Sequence, residues 1–521
     1  MYIWGKEKNV KVIKLAKRKL RLIEINNLLK LKHLKFNSNS CLSIIFLFFV
    51  LLFCNSCSTN ANKGTISGRV NLFNDIPGLF IENPMDFSGV TVALYKTAVL
   101  DTTLVRINQQ YPQIGVQITQ ETEFDHRNFN PLKVVTTDAE GKFSFPSLTP
   151  GNYNLVVWKN EWGIRYICSV RAEEKENNNL GNIELYPATS YNSPIVSEPT
   201  IFKSDHSYFI RNDINFMSSV EFQPRAQIFI NPACIVKFYG AITTPEFTSP
   251  RDMWKITSGK EIYSTSQVTM DFDSYYSAVT FYGAEINLKS GVVRYGSSGI
   301  STANTNSNYI NYVVFRNCGT ALTVIEGNLD AGYLVCSNCN NSGIEYTSNN
   351  IEENRIASIT RCIIINNSQR GISIVRAGNY NINNCYINNN YYAIYIRDCN
   401  GYIENNEFNL SSYHIYYHKN CSHNEVHYNN FYNTTIGLTL RGSINNINNN
   451  NFFCVSTYYI YILYSAPPYS LVNSDVNAIN NYWRVEEVSR YLADAEDDPK
   501  CPYYINFLPR LLNPVQKAGI Q

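Results

Sequence analysis

The sequence predicts an all-β chain, a long solenoid preceded by a small β-sandwich, and three observations carry that prediction. An isoleucine- or leucine-centred strand returns at Leu322, Ile344, Ile372, Ile394, Ile415, Leu438 and Ile460, with gaps of 22, 28, 22, 21, 23 and 22 residues. A fixed period of that length is the signature of stacked repeats rather than of a compact globule. A second apolar pattern keeps step with the first, as Ile359/Ile364, Ile382/Ile387, Ile403/Phe408, Val426/Phe431 and Ile447/Phe452, and reads as a second strand. Asparagines punctuate the turns beside it, at Asn366-Asn367, Asn388 to Asn390, Asn405-Asn406, Asn429-Asn430 and Asn448 to Asn451. Asn tolerates left-handed backbone, and amides stacked on successive rungs hydrogen-bond in ladders. The β-branched and aromatic strands, with little Ala or Leu, argue against a helical repeat of the same period.

In chain order, residues 1–57 read as a basic leader and signal peptide. The first 40 residues hold eleven of the 44 basic residues but two of the 42 acidic ones, and they lead into the apolar run Leu42 to Phe53. That run is too short to span a bilayer, which takes about 20 residues, but it fits a signal-peptide core. It ends in CNSCSTN, which resembles a bacterial lipoprotein cleavage box with Ser56 before the cut and Cys57 as the lipidated residue; Cys54 stands where Leu is usual. The resemblance implies an exported chain held in the bacterial cell envelope by a lipid anchor, at the outer membrane or cell surface. Without the leader the charge falls from +2 to near −7, so a nucleic-acid partner is not expected.

Residues 64–187 read as the sandwich. The run from Thr136 to Trp158 alternates on both sides of a turn, with Phe143 and Phe145 facing one way and Tyr153 and Leu155 doing so on the return. Asp138, Gly141, Pro150 and Gly151 supply the turn chemistry. The segment resembles the carboxypeptidase regulatory-like, transthyretin-like domain, which implies a noncatalytic spacer or binding module, and Asp101 to Pro131 reads as an insertion in it. Residues 188–218 read as a linker.

Residues 219–514 read as the solenoid. Short strands with Asn at the corners resemble the right-handed parallel β-helix of the pectin-lyase-like superfamily, and QIFINPACIVKFYG and GVVRYG read as earlier, less regular rungs. From about residue 480 the chain resembles the closing segment of secreted β-helix proteins, although Arg484 replaces the usual Gly. A short helix presenting Val485, Val488 and Leu492 is expected to cover the last rung. Asp494, Glu496, Asp497 and Asp498 read as a solvated acidic loop rather than a calcium site.

Two kinds of function compete on such a surface. Polysaccharide lyases and glycoside hydrolases of the fold need calcium-binding Asp clusters or paired carboxylates, and Asp271, Asp273, Asp330 and Asp398 are scattered instead. The reading leans away from catalysis, toward polysaccharide binding or adhesion, with a purely structural envelope protein as the other alternative; no cofactor is expected. Strand alternation places residues one and three positions after each anchor on the outside, where Tyr395, Arg397, Tyr416, His418, Arg441 and Tyr461 form the candidate ligand face. The rings are expected to stack on sugars and the cations to pair with acidic groups, against the alternative that the tyrosines pack on one another. His414 and His418 share the outward parity and are weak metal candidates, and no metal site is assigned. Eleven cysteines follow Cys57, an odd number, and Cys336-Ser-Asn-Cys339 without a second such pair does not suggest zinc. Ile394→Ala is expected to cost about 2–5 kcal/mol and Asn406→Ala about 0.5–1.5 kcal/mol.

Overall fold

Three strands make each turn of the solenoid. A computed structural model describes residues 63–75, 86–244, 249–283, 285–350, 354–421, 423–441, 446–463, 475–494, 497, 501 and 503–521, so Cys57, Glu496 and Asp498 lie outside the described residues. Gly64–Gln521 form one compact unit, mostly a right-handed parallel β-helix of about 12 turns. A representative turn runs through Ile356–Thr360, Ile363–Ile365 and Arg370–Val375, and the next through Asn379–Asn383, Tyr386–Asn388 and Tyr392–Arg397. Each strand pairs in parallel with its equivalent on the next turn. The side carrying the anchor residues is called here the first, and the two that follow it in each turn the second and third.

The anchors behave as the period predicts. Leu322, Ile344, Ile372, Ile394, Ile415, Leu438 and Ile460 are fully buried and pair in register from rung to rung. The second apolar pattern, by contrast, is two strands and not one. Ile359 ends the second side and Ile364 begins the third, because Arg361 between them turns the chain at φ 53°. Asn384, Asn405, Tyr428 and Asn449 do the same on later rungs, at φ 53°, 56°, 56° and 55°. The expected linker is also absent: Thr189–Tyr191, Ile195–Val196, Thr200–Phe202, Ser207–Ile210 and Ile214–Phe216 are already paired into the solenoid sheets. Their short apolar runs lack the 22-residue rhythm, which is why they read as connection.

A tight corner leaves inward-facing backbone N–H groups that no strand can satisfy, and side chains take them up. Asn406 Oδ1 accepts from Cys385 N at 2.8 Å, Asn429 Oδ1 from Asn406 N at 3.0 Å, Asn450 Oδ1 from Asn429 N at 2.9 Å and Asn481 Oδ1 from Asn450 N at 2.8 Å. The amide nitrogens donate back to inward carbonyls, Asn406 to Ile382 at 2.9 Å and Asn429 to Ile403 at 2.8 Å. All four are buried. Cysteines do the same work at other corners: Cys399 Sγ accepts from Ala377 N at 3.2 Å, and Cys385 Sγ donates to Ile359 O at 3.6 Å. The eleven described cysteines are free thiols, ten of them buried or half-buried.

The sandwich is a three-stranded sheet, Lys142–Leu148, Gly64–Leu72 and Asn177–Leu185, facing a four-stranded one, Lys133–Thr136, Thr91–Lys96, Gly151–Trp158 and Ile164–Ala172. Phe143, Phe145, Tyr153 and Leu155 share the core between them. The insertion leaves the sandwich and lies on the third side of the solenoid. Its helix Thr102–Gln110, capped by Asp101, brings Leu104 and Ile107 with Ile114, Val116 and Ile118 onto Val292, Val314, Val335 and Ile363. Buried Arg127 locks the contact, with Nη2 2.7 Å from Asp125 Oδ2 and Nη1 donating to Ser258 O at 2.6 Å. Further along the same side the C-terminal tail runs back over the rungs, held by Asn451 Nδ2 to Val515 O at 2.9 Å and Gly519 N to Tyr428 O at 2.7 Å.

The far end departs from expectation in form. Val488–Tyr491 is a single 3₁₀ turn, and Leu492–Ala493 adds one more strand pair to Ile460–Tyr461. Val488 and Leu492 are buried there and Val485 packs beside them, so the last rung is covered by a strand and a turn.

Asn406→Ala leaves the Cys385 N–H and the Ile382 carbonyl buried without partners, at about 1–3 kcal/mol each, so its cost is expected to match Ile394→Ala rather than fall below it. Asn406→Cys, which restores an acceptor and a donor of the kind Cys385 and Cys399 supply, should recover part of that loss in chemical denaturation; equal loss in both variants would refute the ladder's role.

Glu407, on the third side, lies under the tail and the insertion, 2.7 Å from Asn430 Nδ2, and burial pushes its carboxyl up to about 7. Folded protein therefore keeps a proton that unfolded chain releases between about 4.5 and 7. Stability should fall through that window as pH rises, by on the order of 3 kcal/mol, and level off above it. Glu407→Gln should flatten the slope in pH-dependent melts.

Candidate ligand-binding surface

On the first side the outward residues change from small and aliphatic to aromatic partway along. Register pairs Ser373 with Tyr395, Tyr395 with Tyr416, Tyr416 with Thr439 and Thr439 with Tyr461. Tyr395 and Tyr416 stack with ring centres 5.7 Å apart and planes 6° from parallel. Tyr461 stacks instead on Tyr458, at 5.3 Å. Ser373 and Thr439, both expected outside, are buried because tall rings on neighbouring rungs close over their short side chains. The candidate tyrosines thus form two groups separated by Thr439.

A second row widens the aromatic patch. Arg370, Tyr392 and Tyr413 precede the anchors by two positions; Tyr392 lies 5.1 Å from Tyr413, and Tyr391, 48% exposed, meets Tyr413 at 5.5 Å. The Arg370 guanidinium sits 4.5 Å from the Tyr395 ring centre. Parity counted forward from each anchor missed this row; counting backward through the same repeat alignment finds it.

The cations of the predicted face are partly engaged. Arg397 Nε donates to Asp398 Oδ2 at 3.2 Å, and Asp398 also receives Asn420 Nδ2 at 2.6 Å. Arg441 Nη1 is 3.4 Å from His418 Nε2. Burial, with Arg441 and Arg397 nearby, holds the His418 pKa below its ordinary value, so the imidazole stays neutral and stacks in the ring cluster beside Tyr395 and Tyr416.

His414 points inward, against the expectation from parity. The residue before each anchor occupies an interior corner, held elsewhere by Ala321, Gly343, Gly371, Ala393 and Gly437. His414 fills that corner between Phe408 and Phe431, at 5.5 and 5.7 Å, with no partner for either ring nitrogen, and burial lowers its pKa to about 3. His418 is on the outside and His427 is on the second side, paired with Glu404 at 2.9 Å. Among the described residues no three His, Cys, Asp or Glu side chains are placed to hold a metal ion. Asp494, from the acidic loop, turns in to accept from Ile505 N at 2.8 Å.

Comparison with known proteins agrees with the architecture. Residues 350–485 match the family described as right handed beta helix region, and residues 134–177 match polysaccharide lyase family 4, domain II. No curated protein matches the chain. Among solved structures, a type II cohesin–X-dockerin complex from Acetivibrio cellulolyticus is 18% identical over 24% of this chain and 58% of that one, with a TM-score of 0.14, too low to carry an argument. This chain thus spans little more than half the length of that structure.

Proposed function

We propose that the protein is an exported, lipid-anchored envelope protein whose solenoid binds an extended polysaccharide along its first side. The observation that carries this reading is the aromatic patch of Tyr391, Tyr392, Tyr395, Tyr413 and Tyr416, with Arg370 over one ring and Arg397, His418 and Arg441 along its edge. Aromatic faces and edges take up the apolar faces of sugars, and guanidinium groups pair with carboxylate or sulfate. Rungs about 4.8 Å apart repeat that chemistry at close to the spacing of sugars in an extended chain. The match of residues 134–177 to a domain of a polysaccharide lyase family supports a carbohydrate-related role for the sandwich as well. In this reading the sandwich is a noncatalytic spacer or binding module.

A structural envelope role is the second reading, favoured by the near-parallel Tyr395–Tyr416 stack, which satisfies both rings without any ligand. A glycan array with the purified protein separates the two. Tyr395→Ala combined with Arg397→Gln, which keeps a donor for Asp398, is expected to abolish binding of any glycan the parent retains while the circular dichroism spectrum stays unchanged. Undiminished binding would remove this face as the site, turnover of a bound glycan would move the protein into the lyase or hydrolase class, and silence of the parent would favour the structural role.

The anchor has its own test. Acyl chains on Cys57 would each add about 0.8 kcal/mol per buried CH₂, enough in combination for stable attachment. Cys57→Ala should leave the detergent phase and lose palmitate label; a variant that still partitions and labels like the parent would sink the assignment.

A further inference from the structure

The one long interval in the anchor series, 28 residues from Ile344 to Ile372 against 22 from Leu322 to Ile344, has no part in the tyrosine surface. Equal rungs stack into flat sides, whereas a longer rung raises a wall beside its neighbours. Here the additional residues fall between the strands Ser342–Thr347 and Ile356–Thr360, at the entry to the second side. A cleft of about 450 Å³ lies there, lined by Tyr309, Asn328, Asp330, Asn354, Ile356 and Ser358 among others.

Tyr309, Asp330 and Ser358 are register partners on three successive rungs, so their side chains point the same way. Tyr309 is 37% and Ile356 48% exposed, large apolar surfaces left uncovered in a concave site. The Lys289 ammonium lies 5.0 Å from the Tyr309 ring centre and occupies one of its faces. Asp330 has no basic partner among the described residues, and burial alone pushes its pKa up.

We infer that this cleft binds a neutral sugar unit of a polysaccharide. The free face of Tyr309 and the Ile356 side chain offer apolar contact to a sugar ring, Asp330 accepts from hydroxyls, and the Asn328 and Asn354 amides both donate and accept. The volume suits a ligand of one or two sugar units. A uronate would bring its carboxylate toward Asp330 and be repelled, so neutral sugars are preferred here. The inference rests on the reading that the solenoid binds polysaccharide and deepens it, by assigning a second contact on a different side.

Calorimetry on the full-length protein with neutral gluco-, manno- and xylo-oligosaccharides, alongside uronate oligosaccharides, provides the test. Tyr309→Ala and Asp330→Ala are each expected to weaken the neutral ligand at least tenfold, with Tyr395→Ala/Arg397→Gln leaving it within twofold. Should the neutral ligand be lost only in the Tyr395/Arg397 variant, the cleft is refuted and the first-side reading stands. Loss confined to the Tyr309 and Asp330 variants, with the Tyr395/Arg397 variant indifferent to every glycan, supports the cleft and refutes the first-side site. Absence of binding by the parent to any of these sugars overturns both.

Discussion

The hydrogen bond from each corner backbone N–H to a buried side chain on the next rung is the interaction on which the rest of this structure depends. Three flat sides require tight corners, tight corners require left-handed residues, and those residues turn polar backbone toward an apolar interior. A buried N–H without a partner costs about as much as a lost apolar side chain, so every corner must supply an acceptor. Asn406, Asn429, Asn450 and Asn481 supply it with an amide oxygen, and Cys399 with a sulfur. That explains why the cysteines lie in the rungs in such numbers: they share corners with asparagine and satisfy the same backbone groups.

The third side shows how the remainder of the chain adapts to the solenoid. One outward column runs Val292, Val314, Val335, Ile363, Tyr386, Glu407, Asn430 and Asn451 in unbroken register. Its aliphatic part would be an exposed apolar stripe, and the insertion's Leu104, Ile107 and Ile114 cover it. Its polar part lies under the C-terminal tail, where Asn430 and Asn451 bond the tail's backbone. Sandwich and solenoid are thereby joined by apolar packing and by the buried Asp125–Arg127 pair. The first and second sides keep outward aromatic groups that no such segment covers, and the two ligand sites proposed here lie on them.

Much of this was legible in single residues. The anchors, the inward Phe143 and Phe145, and the stacking of Asn at the corners follow from period and parity, which one sequence displays. Parity failed where the chain bends: His414 sits one residue from Ile415, yet both are buried, because a corner between them and the preceding side redirects the side chain inward. It failed again at Thr439, whose exposure is set by the height of Tyr416 and Tyr461 on other rungs. The first five strands of the solenoid were missed because their pairing, and not any repeat of their own, makes them rungs.

What the sequence determined by itself was the repetition: a spacing near 22 residues, β-forming residues at its centre and left-handed formers at its turns allow little besides a stacked β-solenoid. These are local properties, repeated often enough that each rung specifies the next. Tertiary structure decided everything that depends on which rungs are neighbours of non-repeating segments. It laid the Asp101–Pro131 insertion on the third side, buried Glu407 beneath a tail more than a hundred residues away in sequence, and turned a longer rung into a cleft beside Tyr309 and Asp330. Such placements arise from burial and hydrogen bonding between distant parts of the chain, which no period records.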